Sequence, residues 1–207
     1  MRRFVREALG RSPERSCFPV APTKAIMGPL EVLVLAIWVM LPAYIPNNIA
    51  VLAGGGRPVD GGRVWRDRRI LGDGKTWRGT VVGIVAGVAA AGLLNLLQPS
   101  ATELFGMSLP AFSVAIAVAF PIGALLGDMT ASFLKRRTGR ERGAPFPLVD
   151  QLDFLIMALL IGVIADFAWM ITVFSPVLLV VIFVLTPVLH VATNVIAYLL
   201  GVKSEPW

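Results

Sequence analysis

Charged residues are scarce in this sequence of 207 residues, of which Asp, Glu, Lys and Arg make up only 15%. Soluble domains carry roughly 25% charged residues, so the composition excludes an ordinary water-soluble fold. The chain has one cysteine, Cys17, which excludes an intramolecular disulfide. Its one histidine, His190, lies within an apolar run, where it is poorly placed for a zinc site or a covalent catalytic pair. We interpret His190 as a hydrogen-bonded core residue.

Apolar residues are abundant, at 56% of the chain, and they form long runs between basic clusters. A membrane-spanning helix needs about 20 mostly apolar residues, because lipid offers no hydrogen-bond partners to the backbone. The candidate spans are Pro29–Ala53, Thr80–Leu97, Pro110–Ala131, Leu152–Phe174 and Pro176–Leu200. The sequence therefore predicts an all-α integral membrane protein, a single polytopic bundle of five transmembrane helices with two basic cytoplasmic loops.

Positive charge gives the chain a net charge of +6. Because the basic residues flank membrane segments, they favour lipid headgroups or anionic substrates over nucleic acid. The loops after the first and third spans are rich in Lys and Arg, whereas residues 98–109 contain neither. The positive-inside rule then predicts a multi-pass protein of the cell membrane with both basic loops in the cytoplasm and the amino terminus outside.

The basic segment at residues 1–26 opposes this orientation. We expect residues 1–26 to be an accessory amino-terminal extension and residues 27–207 to be a single transmembrane catalytic domain. An amphipathic surface segment is the alternative interpretation of residues 1–26. Within the domain, glycine pairs one turn apart predict closely packed helices. The pairs are Gly83 with Gly87 and Gly123 with Gly127.

The stretch "LGDGKTWRG", residues 71–79, contains Gly-Lys-Thr at residues 74–76, the same three residues that end many phosphate-binding P-loops. It is not one, because Arg69 occupies the position of the required glycine and a charged stretch precedes it instead of a buried strand. It still opens a helix, whose amino end attracts anions. The groups suited to a phosphate are Gly74, Lys75, Thr76 and Arg78. A basic loop touching anionic lipid is the alternative.

A second polar cluster lies at residues 127–154. Asp128, Ser132 and Lys135 share one helix face, and Asp128 lies about 10 Å along the helix from Lys135, inside the membrane. Asp150 and Asp153 share a face at the start of the next span, where helix capping is the alternative role. Capping does not explain Asp128, which lies near a helix carboxyl end. Three converging carboxylates favour an Mg²⁺ site.

This cluster predicts chemistry on a polyphosphate. The cationic groups that would flank the metal are Lys75, Arg78, Lys135, Arg136 and Arg137. With no covalent catalytic pair, a direct displacement at phosphorus is the simplest reaction. Since the site borders lipid, the nucleophile is expected to be a lipid phosphate, which is ionised at neutral pH and needs no general base.

Two motifs carry a resemblance to a known family. "SFLKR" followed by "PLVDQLD" resembles the signature of the CTP-dependent phosphatidate cytidylyltransferases, and "PVDGGR" through "GDGKTWRG" is similar to their archaeal branch, the CDP-archaeol synthases. The resemblance covers about residues 28–203. The chain lacks the His-Gly-Gly of the bacterial and eukaryotic branch, and Gln151 replaces an arginine between the aspartates. Both departures agree with the archaeal branch.

The resemblance implies that CTP and a lipid phosphate give a CDP-lipid and diphosphate with Mg²⁺. In the archaeal branch the lipid is 2,3-bis-O-geranylgeranyl-sn-glycerol 1-phosphate, an isoprenoid ether lipid. The implied metal ligands are Asp128, Asp150 and Asp153, which with Lys135 would be catalytic. The implied CTP-binding residues are Gly74, Lys75, Thr76, Arg78, Ser132, Lys135 and Arg136. Further candidates for contacts with the base, the ribose or metal-bound water are Asn47, Asn48, Asp60 and Asp67. CDP-diacylglycerol synthesis from phosphatidate and anionic lipid transport are the alternatives.

Overall fold

The protein is a helical bundle with one short two-stranded ribbon. The structure, a computed structural model, describes residues 27–139 and 149–201. Its elements are α1 (Pro29–Leu52), β1 (Val64–Trp65), β2 (Arg68–Arg69), α2 (Trp77–Phe105), α3 (Val114–Arg137), α4 (Val149–Ala165), α5 (Phe167–Val173) and α6 (Pro176–Leu199). Within these residues α1, α2, α3 and α6 are long and apolar enough to cross a membrane. The prediction of an all-α membrane protein is confirmed, and the ribbon is a small addition between α1 and α2.

The fourth predicted span, Leu152–Phe174, is not one continuous helix. It is divided into α4, with 17 residues, and α5, with 7. The break is at Asp166, which leaves the helical conformation, accepts a hydrogen bond from the Trp169 N–H and caps α5. The Ser113 hydroxyl also donates to Asp166, over 2.7 Å. Asp166 therefore joins α5 to the start of α3 and also ends α4.

Glycines determine how closely the helices approach, as expected from the glycine pairs one turn apart in α2 and α3. A Cβ added at Gly87 in α2 would lie 2.5 Å from Pro121 Cγ in α3 and 2.7 Å from Pro46 Cγ in α1. A Cβ added at Gly123 in α3 would lie 2.6 Å from Ala158 Cα in α4. Real Cβ atoms do not come this close, so α1, α2, α3 and α4 can pack as they do only because these positions lack side chains.

The segment that joins α2 to α3, residues 107–113, is held inside the bundle. Asn95 donates to the Phe112 carbonyl over 2.9 Å and accepts from its N–H over 2.7 Å. Trp38 Nε1 donates to the Pro110 carbonyl over 2.9 Å, and Trp169 donates to a further carbonyl of the segment. Non-helical backbone needs such partners in a membrane protein, because lipid provides none. The two tryptophans therefore have a defined structural role that the sequence did not predict.

Four helix ends meet at one end of the bundle, here called the basic rim. The basic rim comprises residues 53–79, the last turn of α3 and the first turn of α4. Arg78, at the start of α2, donates to the Ala53 carbonyl just after α1, over 2.8 Å. Lys135, near the end of α3, contacts Asp150 at the start of α4. These contacts bring both polar clusters of the sequence to the same place.

Candidate functional site

A cleft in the basic rim brings together residues from both polar clusters. It lies between the last turns of α1, the start of α2 and the middle of α3. Its lining residues are Asn47, Ala50, Val51, Gly74, Lys75, Thr76, Gly79, Thr80, Leu125, Asp128 and Met129. Five of these were expected at the site, namely Asn47, Gly74, Lys75, Thr76 and Asp128. The Oδ1 atom of Asn47 is buried and accepts no hydrogen bond within the described residues, so it offers an unused acceptor.

Two lysine–aspartate ion pairs join the elements around the cleft. Lys75, from the loop before α2, pairs with Asp128 in α3. Lys135, near the end of α3, pairs with Asp150 in α4, with 2.6 Å between Nζ and Oδ2. All four side chains are between 18% and 31% exposed. Each pair therefore holds a cation suited to phosphate against a carboxylate suited to a metal.

Asp153 comes close to Asp128 because α3 and α4 cross at Gly127. A Cβ added at Gly127 would lie 2.6 Å from Phe154 Cα and would overlap the Asp153 carbonyl. Gly127, the neighbour of Asp128 in the sequence, therefore lies directly against the backbone of Asp153. Asp153 Oδ1 also accepts from the Phe154 N–H over 2.6 Å. The backbone contact thus brings carboxylates of two helices to one level.

The carboxylates that were expected to bind a metal do not form a complete cage. Within residues 27–139 and 149–201, no group of three or more His, Cys, Asp or Glu side chains is arranged to hold a metal ion. Mg²⁺ is commonly bound by one or two carboxylates, with substrate phosphates and water completing its shell. The chemistry of the donor set, carboxylates on facing helices beside a cleft, fits that mode of binding.

Thr76 and Arg78 have structural partners. Thr76 is buried and caps α2, where its hydroxyl accepts from the Gly79 N–H over 3.2 Å. Arg78 donates to the carbonyls of Ala53 and Gly54 and so satisfies the free end of α1. Arg78 does not line the cleft. Its guanidinium instead holds the end of α1, whose last turns form one wall of the cleft.

The remaining expected residues differ in position. Ser132 is half-buried, one turn beyond Asp128 on α3, and its hydroxyl makes no hydrogen bond with the rest of the described chain. Arg136 approaches the 71–79 loop, where a Cβ on Gly72 would lie 3.8 Å from its Nε. Asp67 is exposed in the turn between β1 and β2, with φ of 60°, and does not line the cleft.

Asp60 organises the loop that carries Lys75, a role that the sequence did not reveal. It is 8% exposed. Its carboxylate accepts from the N–H groups of Gly62 over 3.0 Å, Leu71 over 3.0 Å and Gly72 over 3.1 Å. It also accepts from Arg69 Nη2 over 2.8 Å. The Asp-Gly-Gly at residues 60–62 was a turn signal that could have indicated this function.

Asp60→Asn is expected to loosen this loop at neutral pH. Burial alone would raise the pKa of Asp60, but hydrogen bonds from Arg69 and from the backbone N–H groups hold it well below its usual range. Asp60 thus binds fewer protons when folded, so its stabilisation is complete above about pH 4 and is lost as the pH falls further. Amide hydrogen exchange at Leu71 and Gly72 should accelerate about 10-fold, for a loss of about 1.4 kcal/mol.

The control is Asp67→Asn, which removes an exposed carboxylate from the same loop and keeps a residue tolerant of positive φ. Its exchange should match wild type. Unchanged amide exchange in Asp60→Asn would contradict the role of Asp60 in holding the loop. The same conclusion would follow if the wild-type exchange rates, corrected for the pH dependence of intrinsic exchange, did not rise below pH 4.

Comparison with known proteins gives a consistent result. The family model CarS-like, CDP-archaeol synthase, matches residues 29–207. The CDP-archaeol synthase of Halobacterium salinarum is 60% identical over 174 residues, covering 84% of this chain and 96% of that protein. The CDP-archaeol synthase of Methanosarcina mazei is 45% identical over 175 residues, covering 81% of this chain and all of that protein.

A solved structure is also similar to this chain. It is described as an intramembrane enzyme for archaeal membrane lipids biosynthesis. It has a TM-score of 0.63 and 43% sequence identity, and the match covers 77% of this chain and 92% of that one. The similarity therefore extends to the arrangement of the helices as well as to the sequence.

Proposed function

The chain belongs to the CDP-archaeol synthase family and is a cytidylyltransferase, and from this premise we propose its reaction. CTP and 2,3-bis-O-geranylgeranyl-sn-glycerol 1-phosphate give CDP-2,3-bis-O-geranylgeranyl-sn-glycerol and diphosphate. The observation that supports this most is the cleft in which Lys75, from the 71–79 loop, meets Asp128 of α3. There the Lys75 ammonium group, which can bind phosphate, is adjacent to the Asp128 carboxylate, which can bind a metal ion.

The reaction is a direct displacement. An ionised oxygen of the lipid phosphate attacks the α-phosphorus of CTP. The bond from that phosphorus to the bridging oxygen breaks, and diphosphate leaves with the electron pair. The lipid phosphate needs no general base, because it is already ionised at neutral pH. The protein contributes by holding both phosphates in line and by stabilising the charge that develops between them.

CTP binding exchanges partners within the two ion pairs. Lys75 and Lys135 leave their carboxylates and donate to the triphosphate. Gly74 and the amino end of α2, capped by Thr76, offer backbone N–H groups to the same oxygens. The unused acceptor of Asn47 suits the cytosine amino group or a ribose hydroxyl. The hydroxyl of Ser132 and the guanidinium of Arg136 complete the phosphate contacts, while Arg78 holds the start of α2 against the end of α1.

Asp128 and Asp153 would hold Mg²⁺, with Asp150 added once Lys135 turns to the phosphates. Carboxylate oxygens are preferred by hard cations such as Mg²⁺, whereas imidazole and thiol groups suit softer metals. The chain has only one histidine and one cysteine. Bound Mg²⁺ would neutralise charge that develops on the phosphate oxygens. When Lys75 moves to the triphosphate, the carboxylate of Asp128 loses its cationic partner. CTP binding would therefore increase the affinity of Asp128 for Mg²⁺.

We also propose a topology, based on the charge of the basic rim. We place the basic rim in the cytoplasm, where CTP is available, and the amino terminus outside. The spans α1, α2, α3 and α6 are joined by α4 and α5, which together make a fifth crossing. Residues 27–207 then form one catalytic domain bordered by membrane lipid. The segment 1–26 lies outside the described residues, and we propose that it is an accessory extension.

One incubation separates this function from its rivals. Purified protein receives labelled CTP and Mg²⁺ with either 2,3-bis-O-geranylgeranyl-sn-glycerol 1-phosphate or phosphatidate. We expect a labelled CDP-lipid from the ether lipid, and a chelator should stop its formation reversibly. A product from phosphatidate alone would instead identify a CDP-diacylglycerol synthase. No product from either lipid would contradict the proposed transfer and favour transport of an anionic lipid.

Lys75→Ala is expected to raise the KM for CTP by about 10-fold to 100-fold, since it removes a charge-assisted hydrogen bond to phosphate. The measurement is steady-state turnover at saturating lipid phosphate. Arg57→Ala, which removes an exposed cation from the same loop outside the cleft, is the matched control and should leave this KM unchanged. If both variants keep the wild-type KM, the 71–79 loop does not bind CTP.

A further inference from the structure

The proposed reaction leaves one feature of the basic rim without a role. Residues 63–69, here called the arginine–tryptophan ribbon, form the antiparallel strands β1 and β2, with Val64 paired to Arg69 and Trp65 to Arg68. The ribbon does not line the cleft. Its exposed side chains are Arg63, Val64, Trp65, Arg66, Asp67 and Arg68. Exposed aromatic and cationic groups side by side are unusual for a loop with a purely structural role.

The ribbon is held rigidly against the end of α3. Arg137 donates to the carbonyls of Trp65 over 2.5 Å and Arg69 over 2.8 Å. Its guanidinium also lies 5.0 Å from the centre of the Trp65 ring. In return, Arg68 Nη1 donates to the Arg136 carbonyl over 3.3 Å. The position of Trp65 relative to the membrane helices is therefore fixed.

Trp65 packs against an apolar and partly exposed face of α3. Trp65 stacks on Phe133 of α3, with 5.9 Å between ring centres and 12° between ring planes. Phe133 lies two helical turns from Leu126, so both belong to one face of α3. On this face Leu126 is 40% exposed. Leu134, which follows Phe133 and lies on the adjoining face, is 43% exposed. Since α3 ends one turn later at Arg137, we expect Trp65 to lie at the depth where apolar chains give way to headgroups.

We propose that the arginine–tryptophan ribbon binds the anionic phosphate headgroups of the surrounding lipid leaflet. Tryptophan favours the membrane interface because its ring is apolar and its N–H is polar. Trp65 is 48% exposed and Val64 is 60% exposed, which gives the ribbon an apolar contact with lipid. Arg63 and Arg66 form no salt bridge with the rest of the described chain, so both can bind phosphate.

This surface is separate from the proposed CTP cleft, because it lies on the outside of α3. Arg66 lies 5.3 Å from the Trp65 ring centre, so the cation and the aromatic ring can contact the same headgroup. The occupant is bulk anionic lipid, which collects at the basic rim and fixes the depth of the bundle in the membrane. If the ribbon faced water instead, Trp65 would contact solvent and would not contact lipid.

The test measures which lipid lies beside Trp65. The full chain is reconstituted in nanodiscs containing a trace of either an anionic or a zwitterionic phospholipid, each brominated at the same upper acyl position. Subtracting the quenching of Trp65→Phe isolates the Trp65 signal. We expect Trp65 to be quenched, with the anionic lipid enriched about fivefold or more over the zwitterionic one.

Arg63→Gln with Arg66→Gln should reduce this enrichment to about onefold while CTP turnover stays near wild type. Arg57→Gln is the control for loss of an exposed cation outside the ribbon and should retain most of the enrichment. Equal quenching by both lipids in the wild type would overturn the proposal. Quenching of Trp65 by aqueous iodide and by neither lipid would also overturn it, since the ribbon would then face water.

Discussion

Asp128→Asn is expected to reduce cytidylyl transfer by about 1,000-fold or more while the protein stays folded. Asparagine keeps the shape of the side chain but removes the charge that would hold Mg²⁺. It also releases Lys75, which the native carboxylate neutralises in the free protein. CTP binding without metal should therefore be retained or strengthened as turnover is lost. Separating binding from turnover in this way identifies Asp128 as a residue needed for the chemical step.

The measurements are single-turnover product formation and equilibrium binding of labelled CTP to the same preparation. Asp166→Asn is the matched control, because it makes the same chemical change at the opposite end of the bundle. Asparagine is as good a helix cap as aspartate, so α5 should remain capped. Asp166→Asn should turn over at close to the wild-type rate. Near-normal turnover in Asp128→Asn would remove the metal proposal.

Gly127→Ala is expected to destabilise the bundle by about 1–3 kcal/mol, or more if the helices cannot separate. The new methyl group would meet the backbone of α4 at Asp153 and Phe154, and backbone cannot move aside as a flexible side chain can. Pushing α4 away also separates Asp128 from Asp153. Thermal unfolding in detergent should therefore occur at a lower temperature, and turnover per folded molecule should fall.

Gly92→Ala is the matched control. It makes the same substitution within α2, where a new Cβ would meet no atom within 4 Å. Alanine is favoured over glycine in a helix by up to about 1 kcal/mol, so this variant should be neutral or slightly more stable. If Gly127→Ala unfolds at the same temperature as Gly92→Ala, close packing at the crossing of α3 and α4 does not hold the site together.

Much of the helical framework was predictable because apolar length and small-residue spacing are local properties. The runs beginning at Pro29, Thr80, Pro110 and Pro176 each correspond to a helix that can cross a membrane. The break at Asp166 was missed, because an aspartate in an apolar run looks like a packing residue until its partners Ser113 and Trp169 are known. The ribbon was missed because Arg66 and Asp67 adopt positive φ without the usual Asn-Gly signal.

The sequence predicted which charged residues gather at the basic rim, but it did not predict how they pair. Charges at the ends of apolar runs had to gather at the basic rim, so Lys75, Asp128, Lys135 and Asp150 were identified from the sequence. Their pairing as Lys75 with Asp128 and Lys135 with Asp150 depends on the rotation of α3 relative to its neighbours. Asp60 was identified only as a candidate for a ligand contact. Its role in holding the loop was missed, because most of its partners are backbone N–H groups that no side-chain pattern records.

The sequence by itself determined that this chain enters a membrane, that its charges collect at one rim, and that its motifs resemble those of cytidylyltransferases. These properties depend on composition and on spacing within one helix, where neighbours are set by the 3.6-residue period. Only the tertiary structure decided which carboxylate each lysine meets, how α4 ends, and on which side of α3 the ribbon lies. Such contacts join residues far apart in the chain, so they depend on how closely the glycine faces let the helices approach.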